Sequence, residues 1–525
     1  MIIEKIKLKN FRKFEGEHVI EFNEDINVLI GDNEAGKSTI LMALDLILSG
    51  SQRKVDAIGL ENLFNASVID NFLKEERSYD KLPELYIEIY LKDTGISDLN
   101  GENYSEGSNK LKDGLRFECI PNDEYSKEIS YIIEDNKAIF PFEYYNCNFR
   151  TFAKNPYNGY RKYIKHVLID NSLINNEYAM KEYTISLYNS YTDNKIRNNH
   201  KIEYRKLKDY FTSNILKDFN EDLKEVKFGL NNNNKMNLEN NLAIYENDIN
   251  ICNKGSGRQC MIKTEYALNK QRENIDIILI EEPENHLSYI NMKKLLNEIS
   301  KTSDKQIFVT THSSTICSRL NLKKVICMNS NSINPIEFKN ISEDTSDFFI
   351  KSPSSDILRF ILSKKVILVE GAAEYILLEK FYELIEKEKI DNNGISIISV
   401  NGLSFLRYLE IAEKLKIKVA IITDNDGDYN ENVYNKYIDY KDIENISVFS
   451  DTDNNNKTFE ISLYNSNINY IENKRITTSN NKQRFMLNNK SENAYRILKE
   501  LEKINGEKGF KVPEYIERAI KWIKS

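Results

Sequence analysis

Three groups of side chains in this sequence are spaced for phosphate and metal chemistry. Gly31, Gly36, Lys37 and Ser38 form G-x-x-x-x-G-K-S within GDNEAGKST, with Asn33 and Thr39 beside them. That spacing lets backbone N–H groups wrap phosphates while Lys37 meets the terminal ones and Ser38 ligates Mg²⁺. The second group closes two apolar runs. IDIILI ends in Glu281 and Glu282, and IFVTTHS carries His312. Beside a phosphate loop, Glu281 is the expected metal-side acid and Glu282 the acid that activates or orients water. A lone His is more often structural, but His312 sits where a sensor of the γ-phosphate would. In the third group, VILVE ends at Glu370 with Glu374 just beyond, and KVAIITD ends at Asp424, followed by Asp426 and Asp428. DNDGD in isolation reads as a solvated or calcium-like turn. With E-G-x-x-E at the matching place, a hard-metal site is the simpler reading, because gathered carboxylates repel unless cations neutralise them. Mg²⁺ or Mn²⁺ suits all-oxygen ligation.

These groups need strand ends to hold them. INVLI before the glycine loop reads as a buried strand, and ILMALDLIL after it as a helix. VILVE, a helix from Ala373 to about Glu386, ISIISV, a second helix and KVAIITD form a β-α-β-α-β series, which predicts a parallel sheet with Glu370 and Asp424 on one edge. Between residues 60 and 145, YIEIYL and ISYIIE read as strands. From about Leu168 to Asn250, Leu207, Phe211, Ile215, Phe219 and Leu223 recur every four residues among charges, which predicts a helix with one apolar stripe. The Asn run at 231–234 and NLENN read as loop, and the polar stretch 340–356 with KSPSSD as a linker. The fold class is α/β: a P-loop ATPase with a helical segment, followed by a smaller α/β unit. The expected divisions are 1–167 and 251–345 for the ATPase, 168–250 for the helical segment and 360–525 for the C-terminal unit.

With 525 residues the chain holds several cores, and its net charge of −8 announces no nucleic-acid partner. Phosphate binding depends on local patches instead. One acid-free stretch, from Asn473 to Ser491, carries Lys474, Arg475, Lys482, Arg484 and Lys490. Another, 149–169, carries Arg150, Lys154, Arg161, Lys162 and Lys165 among Phe149, Phe152, Tyr157, Tyr160 and Tyr163. Basic residues among aromatics suit backbone neutralisation and base stacking; for the second stretch, an ordinary solvated face over buried rings is an equal reading. No apolar run approaches the ~18 residues of a membrane span, and MIIEKIKLKN is not a signal peptide. A soluble, cytoplasmic protein without membrane contact is expected. The six cysteines form no CxxC pair and read as reduced thiols.

The order of P-loop, GSGRQ (255–259), acid-ended strand and T-H-S strand resembles the ATP-binding-cassette head family, and LKNFRKFE…INVLIGDNEAGKST is similar to its DNA-repair branch. The resemblance implies a second copy: Ser256 and Gly257, with Gln259, would meet nucleotide held by the partner head. Glu34 stands where that branch has Gly, and Glu281 where it has Asp. VEGAAE with DNDGD resembles a Toprim domain, and the whole arrangement resembles the overcoming-lysogenization-defect (OLD) family of nucleases. That resemblance implies a helical dimerisation insert in the ATPase, which the 168–250 segment would supply. It also implies that Thr458 and Glu460 of the S/T-x-E element complete a metal site, and that Lys490 offsets charge on the phosphate.

The physical logic fits phosphodiester hydrolysis: two metals held by Glu370, Glu374, Asp424, Asp426 and Glu460, with Lys490 facing the developing charge. The leading reading is an ATP-regulated, metal-dependent DNA endonuclease acting as a dimer or larger assembly. The resemblance adds a role against phage, with a helicase or a retron reverse transcriptase and its noncoding RNA as partner. The alternative is an ATP-gated DNA clamp or sensor that binds without cutting. A topoisomerase or primase is weaker, since 31 tyrosines single out no nucleophile and no zinc module is present.

Overall fold

In the opening strand Ile3–Phe11, Ile3, Ile6, Leu8 and Phe11 are wholly buried, with more polar residues between them. It pairs antiparallel with Phe14–Glu21 and with Leu85–Leu91. The sheet continues through Lys112–Pro121 to Asn100–Gly101 and Tyr145–Thr151. The computed structural model describes residues 1–525 except 76, 106–109, 135–138, 160–162, 171–176, 224–225, 232–237, 269–274, 303, 329–334, 353–355, 403, 474–475, 477–481 and 504–505.

A second sheet positions the nucleotide chemistry. Its order is Ile336–Glu337, Val325–Met328, Ile26–Gly31, Gln306–Thr310, Ile277–Glu281 and His166–Asp170, parallel except for the first pair. Every residue of Ile26–Gly31 is buried, which is why its sequence is a continuous apolar run instead of an alternating one. The helix Lys37–Ser49 follows, burying Ile40, Leu41, Leu44 and Ile47, and ends at Gly50 in the left-handed region with its N–H on Leu46 O. The Gln306 amide joins the two sheets, accepting from Ile3 N at 2.8 Å and donating to Ile3 O at 2.8 Å.

The insert is helical over Glu177–Tyr191 and Asn194–Tyr210, and a π-helical turn, Phe211–Ile215, carries the backbone into Lys217–Glu221. The predicted stripe is uncovered: Leu207, Ile215 and Phe219 are each more than half exposed. The strand His166–Asp170 runs across residue 168 and belongs to the ATPase sheet.

The chain divides into two compact units, one of Met1–Ile316 with Lys324–Phe338, the other of Lys339–Ser525 with Cys317–Lys323. The second is built on a parallel sheet in the order Ile395–Ser399, Lys365–Val369, Lys418–Ile422, Ile446–Phe449. Leu377, Phe381 and Tyr382 of the helix Ala372–Glu386 share its core with Ile516, Ile520 and Ile523 of Glu514–Lys524.

Several expectations fail for identifiable reasons. ISYIIE is not a strand; it lies in the helix Ser126–Glu134, where the four-residue spacing of Ile129 and Ile133 buries one face. The polar stretch expected as a linker contains the helix Glu343–Lys351, capped by Ser342 and burying Phe349. Leu238–Asn241 is a short helical turn instead of a loop. The base-stacking reading of 149–169 is overturned where it is described: Phe149, Phe152 and Tyr157 are 8%, 0% and 5% exposed and pack in the core. Tyr160, Arg161, Lys162, Lys474 and Arg475 lie outside the described residues. All six cysteines are free thiols. Among the described residues no helix is long and apolar enough to cross a membrane.

Candidate functional site

The nucleotide loop leaves the buried strand at Gly31, where a Cβ would lie 2.4 Å from the carbonyl oxygen of Met328 in the neighbouring strand, so only glycine fits. Glu34 takes φ 63°, the left-handed conformation that the expected glycine would favour. Lys37 begins the helix and folds back over the loop, donating to Gly31 O at 3.0 Å and Asp32 O at 2.9 Å. Burial holds its ammonium below the ordinary lysine value, against the opposing pull of Glu282, Asp32 and Glu284. Asn33 and Ser38 are exposed and Thr39 half-buried on the same loop and first turn.

Register brings the acids here. Glu281 pairs across the sheet with Thr310 and Asp170. Burial pushes its carboxyl up; a hydrogen bond from Ser38 pulls the other way, and Asp170 and Glu282 add repulsion. Ser38 and Glu281, both expected around the metal, are therefore in contact. Glu282 stands at φ 45° and accepts from Asn285 Nδ2 at 2.6 Å. His312 Nε2 lies 3.7 Å from Glu282 Oε1. Ser256 and Gly257 open the helix Ser256–Leu268, and a Cβ on Gly257 would lie 2.5 Å from His286 O. Gln259 is placed differently from the expectation: it is buried, and its amide donates to Lys254 O at 2.8 Å, bracing the segment before the helix.

The second site collects at the C-terminal edge of the smaller parallel sheet. Glu370 Oε1 accepts from Thr423 Oγ1 at 2.5 Å and from Asp424 N at 3.0 Å, joining strand ends 54 residues apart. Asp424 Oδ1 accepts from Phe459 N at 2.8 Å, which draws in the first turn of Phe459–Ser466. Thr458 caps that helix, accepting from Ile461 N, and presents Glu460, which is 3% exposed. Lys490, at the start of Lys490–Leu501, places Nζ 3.1 Å from Glu460 Oε2. Burial, joined by repulsion from Glu370, Glu374 and Glu460, pushes Asp424 up to about 8. Burial, with Glu460 and Glu370, pushes Glu374 up to about 7. Burial lowers Lys490, but the charges of Glu460, Asp424 and Glu374 outweigh it and raise the ammonium. Asp426 takes φ 50° and donates its N–H to Lys457 O at 3.1 Å. Asp428 accepts from Glu431 N at 3.1 Å, the bond of a turn-capping residue.

A phosphate loop, a histidine just past the end of the neighbouring strand and an acid pair at the end of the strand beyond it now occupy one edge of one sheet. Residues 1–317, more than half of the chain, match the family model described as AAA ATPase domain, AAA_15. The chain belongs to this AAA_15 ATPase family. Residues 361–426 match a second model, the overcoming lysogenization defect protein-like TOPRIM domain. The chain is 22% identical to the endonuclease GajA of Bacillus cereus strain HuB5-5, over 90% of this chain and 82% of that protein. It is 28% identical to the Old nuclease of Escherichia phage P2, over 34% of each. Among solved structures, an SMC head bound to the winged-helix domain of ScpA aligns at a TM-score of 0.34 and 14% identity, covering 62% of this chain and 94% of that one. The protein is thus an AAA_15 ATPase domain joined to an OLD-like TOPRIM domain.

Within this AAA_15 and TOPRIM framework, the sequence reading missed residues that hold the acids in place. Glu284 Oε1 accepts from Thr311 Oγ1 at 2.8 Å and from His312 N at 2.6 Å, fixing the histidine turn. Asn425 is fully buried; its Nδ2 donates to Asp451 O at 2.7 Å and Asp453 O at 3.0 Å, clamping the aspartate turn to the next loop. A polar residue buried between two functional acids was the available signal. The TOPRIM donor set suits a hard divalent cation, because Glu370, Glu374, Asp424 and Glu460 crowd one edge and their repulsion helps to raise Asp424. Among the described residues no three acidic, His or Cys side chains form a ready-made metal-holding group.

Proposed function

We propose that this chain is an ATP-regulated, metal-dependent DNA endonuclease. The observation that carries this reading is the bond from Asp424 N to Glu370 Oε1, which gathers acids distant in sequence beside Glu460 and Lys490. Glu370, Glu374, Asp424, Asp426 and Glu460 would hold the cations, Mg²⁺ or Mn²⁺. When bound, these supply a nucleophilic water and charge stabilisation. Lys490, beside Glu460, would offset charge on the scissile phosphate, and Thr458 caps the turn that presents Glu460. Asp428 serves the turn in this reading. In the ATPase domain, Lys37 with Asn33, Gly36 and Thr39 would bind ATP phosphates, Ser38 and Glu281 the metal, and Glu282 and His312 the attacking water. Ser256 and Gly257 would meet nucleotide on a second copy.

Self-association is supported by the uncovered stripe of Leu207, Tyr210, Ile215 and Phe219, which a second copy would bury. Leu207→Glu with Ile215→Glu should shift the molar mass measured by light scattering towards the monomer. An anti-phage role follows from the OLD-like reading. Plaque counts on cells carrying the wild type or Asp424→Ala, with and without a neighbouring helicase or reverse transcriptase, test it.

The decisive experiment incubates purified protein with supercoiled and linear DNA in Mg²⁺ or Mn²⁺, with and without ATP, beside Asp424→Ala and Lys37→Ala. Cutting by the wild type and not by Asp424→Ala supports the assignment. DNA binding without cutting under either metal would leave the clamp reading.

A further inference from the structure

The ATPase unit contains a cavity of about 1050 Å³ that shares no lining residue with either site. It is lined by the turn Gly50–Lys54 after the P-loop helix, the strand Tyr145–Thr151, the loop 156–159 and the insert helices. Six cations reach it: Arg53, Lys54, Arg150, Lys165, Arg197 and Lys201. Among the described residues its lining carboxylates are Asp193 and Glu239, and both are engaged. Asp193 caps its helix through Ile196 N at 2.7 Å, and Glu239 pairs with Lys201 at 2.7 Å. Lys54 pairs with Asp45 at 2.7 Å. Among the described residues, Arg53, Arg150 and Lys165 have no carboxylate partner. Arg197 is held by neutral groups, Asn189 O at 3.1 Å and Asn189 Oδ1 at 3.2 Å, which orient the guanidinium without cancelling its charge.

Cations scattered on a convex surface are solvated and need no ligand. Here they come from separate elements into one concavity, in a chain whose net charge is −8. The space is at the upper end of small-molecule pockets, roughly 300–1,000 Å³, and its concave form suits a bent strand in place of a stiff duplex. Phe149 and Tyr157 line it but are 8% and 5% exposed, so they offer little face for stacking bases. Asn148, Asn158, Asn194 and Asn198 add amide donors around the cations. Recognition would therefore fall on the phosphates and not on the bases.

We propose that this cavity binds the phosphates of a single-stranded nucleic acid, at a site separate from the P-loop and from the TOPRIM acids. The chemistry it reads is shared by a strand and a free nucleotide, and the strand is favoured because the cations span several elements. The proposal goes beyond the nuclease reading and does not depend on cutting.

The test uses the full chain with Asp424→Ala, in EDTA, so that binding is read without cleavage. Anisotropy of a short fluorescein-labelled oligodeoxythymidylate is measured across a salt series, with and without Arg53→Glu and Arg150→Glu together. Both residues are exposed, and melting curves confirm folding. At least a tenfold loss of affinity is expected, with a log–log salt slope flatter by about 1.4, two charges at roughly 0.7 each, and with ATP turnover retained in the otherwise wild-type background. Arg53→Lys with Arg150→Lys should keep the binding. If the reversal variant misfolds, Arg53→Gln with Lys165→Gln gives the same reading. The nucleotide arm measures ATP binding to Lys37→Ala protein by calorimetry: residual binding that the reversals abolish, with the oligonucleotide unaffected, assigns the site to free nucleotide and overturns the strand. Reversal variants that bind both ligands as their parents do overturn the site altogether.

Discussion

The two acid-bearing sheet edges of this molecule treat charge in opposite ways. At the nucleotide edge the central group is a cation, Lys37, already held by the carbonyls of Gly31 and Asp32 and faced by Glu282 and Glu284. At the TOPRIM edge the central groups are anions, and one lysine, Lys490, answers four carboxylates. The first edge presents an ammonium on the phosphate loop, with the crowded Glu281 beside Ser38, so it is prepared for an anion with its metal. The second is repulsive, with Asp424 near 8 and Glu374 near 7, so it is prepared for cations. Both stand at the ends of parallel strands, and only the side chains placed there distinguish them.

The largest expected effects separate the edges outright. Asp424→Ala should lower DNA cleavage at least about 100-fold while leaving ATP turnover in place. Lys37→Ala should do the reverse to turnover, and cutting that survives it would show that ATP regulates the nuclease without powering it. If Asp424→Ala abolished both activities equally, the contrast would break.

Next is stability against pH. Asp424 and Glu374 hold protons in the folded protein that the unfolded chain releases near 4, so between roughly 4 and 8 the folded state binds more protons and stability falls as pH rises. Melting in EDTA should therefore drop by about 5 °C from pH 5 to pH 8, the shift that roughly 2 kcal/mol produces in a domain of this size. Asp424→Asn should flatten that slope, and Mn²⁺ should restore the wild type at pH 8 but not the variant. A flat profile in EDTA would remove the charge contrast.

Lys490→Ala should slow cleavage by about 100-fold without weakening metal binding, because it releases Glu460 from its ion pair. Weaker Mn²⁺ binding by calorimetry would instead make Lys490 a positioning residue. The smallest effect belongs to Glu34→Gly: relief of the left-handed φ should stabilise the ATPase unit by about 0.5–1 kcal/mol, readable as a higher melting temperature.

Much of both edges was legible in the sequence. GDNEAGKST, the acid-ended IDIILI and the pairing of VILVEG with KVAIITD each join a local pattern to a chemistry that needs it, and short-range physics decides them. The insert's four-residue stripe was legible as helix, although its exposure was not. ISYIIE was misread because an apolar run that short satisfies either period, and its packing decides in favour of a helix. The rings of 149–169 were ambiguous because burial is a property of neighbours that the sequence does not display. Gln259 and Asp428 sit within functional motifs yet hold backbone groups, which spacing does not reveal.

The sequence by itself determined which residue types could bind phosphate and metal and which strands carry them, since those depend on loop length and apolar run. Only the tertiary structure decided that Glu370 holds the Asp424 turn, that Asn425 clamps it, and that Arg53, Arg150, Lys165 and Arg197 share one cavity. Those are convergences across many residues, and Coulomb and hydrogen-bond energies depend on distance in space, not along the chain.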